Sequence, residues 1–148
     1  LQVIQEKQSI LQRPDADEAD YQTRMAKVYL MGAETMLELL EKNQKTIRNE
    51  IHVIRLGELL FLGTPFEVMQ AIKNDIVAAI PTGIPLVMGL TNGSGGYATD
   101  QSAIDDAAKL VTYESLITPF ITGHLPYSDI HRELVAAVTG AVNKLKES

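Results

Sequence analysis

The side chains best suited to chemistry lie in one stretch, Gly89 to Asp100, GLTNGSGGYATD. It follows an apolar run, Ile84-Pro85-Leu86-Val87-Met88, that reads as a buried strand, and it leads toward a helix. A strand that empties into a glycine-rich loop before a helix is where open α/β sheets place their sites. Tyr97, directly after Gly95-Gly96, can bring a phenol to the mouth of the strand ends as an acid, a hydrogen-bond donor or a metal ligand. The competing reading packs its ring against a hairpin and leaves the hydroxyl in water. Asn92, Gly93 and Ser94 are candidate substrate-binding positions on the loop, and Thr64 joins them from a neighbouring strand end.

Other constellations are missing. The chain has no G-x-S-x-G elbow, no lysine after the glycines and no H-x-x-x-H pair. The glycines lack G-x-G-x-x-G spacing, and no basic residue lies in or beside the loop, which argues against a phosphate cradle. A polar small molecule held by backbone N–H groups of the loop is a further reading. His52 falls mid-strand on a solvent face and His131 on the surface of the last helix. His124 sits in a loop, where an imidazole can titrate or ligate near neutral pH.

The elements that must position these residues follow from periodicity. Leu1 to Leu11 fits a short strand or a helical turn. A break at Arg13 to Glu18, rich in carboxylates, precedes a long helix from about Asp17 to Asn49. Its stripe is Met25, Val28, Tyr29, Gly32, Met36, Leu39 and Leu40. Ile51 to Leu56 and Leu59 to Leu62, joined by Gly57-Glu58, predict a β-hairpin. Thr64 as N-cap and Pro65 at the first helical position start a helix with Phe66, Met69, Ile72 and Ile76 on one face. After the strand and the loop come a helix over about Gln101 to Leu110, an irregular stretch to Pro126, and a last helix capped by Ser128. That helix is striped by Ile130, Leu134, Val138, Ala141 and Leu145. The expected fold is α/β: a small mixed sheet, hairpin plus a further strand, covered by helices and preceded by a long N-terminal helix.

At 148 residues the chain is expected to form a single domain, and 45% apolar with 22% charged residues is an ordinary globular composition. A formal charge of −6 argues against nucleic acid and anionic membrane as partners. No run is long and apolar enough for a transmembrane segment. Without Cys there is no disulfide framework or thiolate nucleophile. That composition, with no signal-peptide pattern, makes a cytoplasmic location the expectation. The chain begins with Leu1 and is read as the C-terminal portion of something longer.

Several segments, in order, resemble the neutral/alkaline, non-lysosomal ceramidase family. They are Leu59-Leu60-Phe61-Leu62-Gly63-Thr64-Pro65-Phe66, Ala71-Ile72-Lys73, Gly89 to Gly93, Gly96 to Thr99, and Tyr113-Glu114. The matched part runs over about residues 51 to 148. The resemblance implies a zinc-dependent amide hydrolase acting on N-acyl (sphingo)lipid-type substrates, in which zinc activates water and polarises the carbonyl. It implies two histidine ligands from an N-terminal half, one glutamate from a Pro-Gly-Glu motif, and a tyrosine that Tyr97 matches. Both histidines belong to sequence upstream of this chain. With Gly63, Pro65 and Phe66 aligned, the glutamate falls on Thr64, while a shifted alignment uses Glu67. The chain is therefore expected to be inactive by itself, with zinc in the full-length protein and none here. Its partners are then the missing N-terminal half and, through the Met-rich face of the first long helix, a second copy in a homo-oligomer. A non-catalytic relative that keeps the fold for binding or assembly is the alternative.

Overall fold

The alternating run before Gly57-Glu58 and the apolar run after it form the predicted hairpin. In the computed structural model, which describes residues 1–42, 48–99, 117, 122–125 and 127–146, β1 (His52–Leu56) pairs antiparallel with β2 (Leu59–Gly63). Leu56 stands opposite Leu59, so the tight turn sets the register of the whole pair. A two-residue strand β3 (Glu67–Val68), helix α3 (Gln70–Ala78), strand β4 (Ile84–Met88) and a second two-residue strand β5 (Tyr97–Ala98) follow. β4 runs parallel to β2, giving a three-stranded sheet in the order β1-β2-β4, and β3 and β5 pair parallel as a separate sheet. With α1 (Gln2–Leu11), α2 (Tyr21–Glu41) and α4 (Ile130–Lys146), the described residues make a mixed α/β fold of four helices and five strands. The expected helix over Gln101 to Leu110 lies outside the described residues.

The chain divides into two compact units, Leu1–Thr46 with Ala107–Pro126, and Ile47–Asp106 with Tyr127–Ser148. In the first, α1 resolves the open reading of Leu1 to Leu11 in favour of a helix. The next helix is shorter than expected at both ends. Asp20, not the earlier carboxylates, caps it by accepting the Thr23 N–H at 2.9 Å, and that bond holds the Asp20 carboxyl below its usual range. It ends at Glu41, and Arg48 and Asn49 are not helical. The sequence from Lys42 to Glu50 is almost wholly polar and offers no stripe to bury, so propensity alone does not extend the helix. Ala33 and Ile117 are buried in this unit, packed by Val3, Ile4, Val28, Tyr29 and Met36.

The second unit holds the larger core. Ile72 and Ile76 of α3, and Leu134, Val138 and Val142 of α4, pack with Leu60 and Leu62 of β2. The last-helix stripe is as predicted at Ile130, Leu134 and Val138, and then continues through Val142, whereas Leu145 is exposed. The first bond of α4 runs from the Glu133 N–H to the Asp129 carbonyl, so the cap position is Asp129, one residue after Ser128.

Two expectations about the sheet need correction. No helix starts at Thr64-Pro65; α3 begins at Gln70, after Met69. The backbone groups of residues 64–66 are engaged sideways instead, as set out below, and cannot form helical bonds. The Ile84 to Met88 run is not a buried strand but an edge strand that alternates, with Ile84 at 50% exposed and Val87 packed toward the core.

Candidate functional site

The loop after β4 is stitched to the segment after β2. The Thr64 N–H donates to the Met88 carbonyl at 2.9 Å, and the Thr91 N–H returns to the Thr64 carbonyl at 2.8 Å. The Leu90 N–H donates to Phe66 at 3.1 Å, the Gly95 N–H to Pro65 at 2.6 Å, and the Glu67 N–H to Gly96 at 2.9 Å. Three loop N–H groups, those of Leu90, Thr91 and Gly95, are thus already engaged by carbonyls. Those three are therefore not available to a polar ligand at the loop.

The glycines have the same explanation. A Cβ on Gly95 would sit 2.6 Å from Cε1 of Phe66, and one on Gly89 would sit 2.6 Å from the Phe66 carbonyl oxygen. Glycine is needed here so that the loop can close over Phe66, whose ring is 2% exposed and meets Tyr127 edge-on at 5.4 Å. Burial raises the Tyr127 hydroxyl pKa, while the hydroxyl accepts a 3.1 Å hydrogen bond from the Asn49 amide. The remaining conformational cost falls on two residues with side chains, Leu90 at φ 53° and Asn92 at φ 56°.

The stitching decides where each candidate lies. Tyr97 is half-buried on β5, and its register partner on β3 is Glu67, which is exposed. Neighbouring strands are about 4.8 Å apart and paired residues project to the same face, so Tyr97 and Glu67 leave one face of this short sheet. Val68 and the fully buried Ala98 occupy the other face and hold this short sheet to the core. Asn92 is exposed, and its amide nitrogen lies 3.1 Å from Nε2 of His52, a geometry in which the amide donates and the imidazole accepts. Gly93 and Ser94 are exposed. Thr64 is 0% exposed, its hydroxyl 3.5 Å from the Met88 carbonyl, and so faces the interior rather than the loop surface.

Two further residues join this neighbourhood: Glu67, which the shifted alignment uses, and His52, expected on a solvent face. Glu67 is beside Tyr97 because two two-residue strands pair in parallel. His52 is beside Asn92 because it opposes Gly63 at the far end of the hairpin, and its Nε2 is also 3.4 Å from a Glu50 carboxylate oxygen. Counting back from the Gly57-Glu58 turn gives the pairing of His52 with Gly63. The other histidines are less open than expected. His124 is buried, with Nδ1 donating to the Leu125 carbonyl at 2.8 Å. His131 is 15% exposed at its side chain and ties α4 to α3 through Asp75 at 2.8 Å. A groove of about 510 Å³ opens beside that pair, walled by Asp129, Arg132, Val135 and Ala136, and shares no residue with the loop.

As a metal centre the neighbourhood is partial. Glu67 and Tyr97 offer two oxygen donors, whereas catalytic zinc takes three protein ligands. Among the described residues no group of three or more His, Cys, Asp or Glu is placed to hold a metal ion. Neither does any helix among them have the length and apolarity to cross a membrane. Comparison with protein-family models, with curated proteins and with solved structures gives no match to this chain.

Proposed function

We propose that this chain is the C-terminal part of a ceramidase-like, zinc-dependent amide hydrolase acting on N-acyl (sphingo)lipid-type substrates, and that it is inactive by itself. The observation that carries the reading is the register of Glu67 with Tyr97, directly beyond the glycine loop. The resemblance calls for a glutamate and a tyrosine from these two segments. Glu67, whose backbone pairs in register with Tyr97, is the carboxylate this reading uses in place of Thr64.

In this reading Glu67 and Tyr97 are two donors of a zinc shell, and upstream histidines complete it. Zinc, when bound, lowers the pKa of its water and polarises the scissile carbonyl. The residues of this chain orient the group: the lateral hydrogen bonds of residues 64–67 fix β3, and the closure over Phe66 fixes β5. Asn92, held by His52, presents an amide at the loop rim, suited to orienting a polar substrate head.

The test uses the full-length polypeptide. Zinc content is measured by elemental analysis, and hydrolysis with N-acyl sphingosine and simpler N-acyl amides. Tyr97→Phe and Glu67→Gln are expected to lower turnover by at least a hundredfold with unchanged circular dichroism. Unchanged turnover in both variants, or wild-type protein without stoichiometric metal, sinks the reading.

A further inference from the structure

The tip of the glycine loop is held at its two ends and open between them. The Thr91 N–H is bound to the Thr64 carbonyl and the Gly95 N–H to the Pro65 carbonyl, while residues 92–94 between these anchors are exposed. Among the described residues the Gly93 N–H has no hydrogen-bond partner. Of the chain's asparagines, Asn92 alone is followed by glycine. That order matters, because the nitrogen of the next residue can close a succinimide ring on the asparagine side-chain carbon, and glycine has no Cβ to hinder the approach. Both reacting atoms belong to one dipeptide, so the attack is intramolecular and needs no outside partner to position it.

The surroundings of the leaving group set this pair apart from the same dipeptide in an unfolded chain. Nδ2 of Asn92, the nitrogen that must depart, lies 3.1 Å from Nε2 of His52, which also faces a Glu50 carboxylate oxygen at 3.4 Å. We propose that Asn92-Gly93 is a self-modification site, at which His52 acts as general acid on the departing ammonia and Asn92 becomes aspartate or isoaspartate. The Gly93 nitrogen loses its proton to water and bonds to Cγ of Asn92. The Cγ–Nδ2 bond then breaks, and the imidazole, which can hold and give a proton near neutral pH, hands its Nε2 proton to the leaving nitrogen. The proton lost by Gly93 restores the imidazole through solvent. Water then opens the succinimide at either carbonyl, so one water is consumed, one ammonia is released, and nothing is oxidised or reduced. Either product replaces the amide that donates to His52 with a carboxylate, and isoaspartate also lengthens the backbone between the two anchors. The step stands whether or not the chain belongs to a hydrolase.

The test holds the folded 148-residue chain at neutral pH and follows the one-dalton mass gain at Asn92 by peptide mass spectrometry. A synthetic peptide of residues 88–97 gives the rate of the same sequence without His52. The folded chain is expected to convert about tenfold faster than the peptide, well within what a positioned acid can contribute. His52→Gln keeps an acceptor for the Asn92 amide but cannot carry the proton, and it should bring the folded rate down to that of the peptide or below. The His52 side chain is 36% exposed, so the variant should keep the wild-type circular dichroism. A folded chain that converts no faster than the peptide overturns the proposal, since the contact with His52 then only restrains the amide. So does a folded rate that His52→Gln leaves unchanged.

Discussion

Both faces of the β1-β2-β4 sheet carry aliphatic residues, and those residues end in opposite surroundings. Leu60 and Leu62 point inward and are 4% and 0% exposed, while Leu56 and Leu86, on the same strands or their neighbours, are 67% and 39% exposed. Residue type does not account for the difference. Cover does: α3 and α4 press Ile72, Ile76, Leu134 and Val138 onto one side only. An apolar side chain contributes stability through the surface it removes from water, so equal residues on the two faces have unequal weight.

The sharpest way to break this comparison is to truncate one leucine on each side. Leu62→Ala removes a side chain with no exposed surface and is expected to cost about 2–5 kcal/mol of unfolding free energy, including the cavity it leaves. Leu86→Ala, on the open side, should cost well under about 1 kcal/mol, in the range of ordinary surface changes. Urea denaturation of the 148-residue chain measures both. Equal losses would mean that the outer face is already covered in this chain.

A second, smaller effect probes how the loop is anchored to the covered side. Gly95→Ala places a methyl group 2.6 Å from a ring carbon of Phe66. The ring cannot swing away easily, because it is buried and braced edge-on by Tyr127. Overpacking of this kind costs about 1–3 kcal/mol. The loss should appear in urea denaturation, together with weaker near-ultraviolet circular dichroism from the neighbouring tyrosines. A neutral substitution would show that the loop rides loosely over Phe66 and does not fix Tyr97.

The same contrast explains what the sequence discloses. The hairpin was legible because a two-residue turn and alternating side chains set register locally. The final helix was legible because Ile130, Leu134 and Val138 recur at four residues and all are buried. Thr64-Pro65 carried a good helix-start signal and still failed, since carbonyls and N–H groups from a loop some 25 residues on claimed its backbone. The strands β3 and β5 are two residues each and have no periodicity to detect, so the pairing of Glu67 with Tyr97 was hidden. The buried-strand reading of Ile84 to Met88 shows a further limit. An apolar run reveals that both faces are suited to cover, not whether cover is present.

The smallest expected effect sharpens the comparison most at its edge. Leu90 follows β4, holds φ at 53° and leaves its side chain 50% exposed. A left-handed conformation costs a residue with a Cβ about 1–2 kcal/mol. Leu90→Gly relieves that strain and retains the N–H that bonds to Phe66. Against the gain stands the greater freedom of glycine in the unfolded chain, about 0.5–1 kcal/mol. The net change in the 148-residue chain is therefore a stabilisation of between zero and about 1.5 kcal/mol, read as a small rise in the urea midpoint.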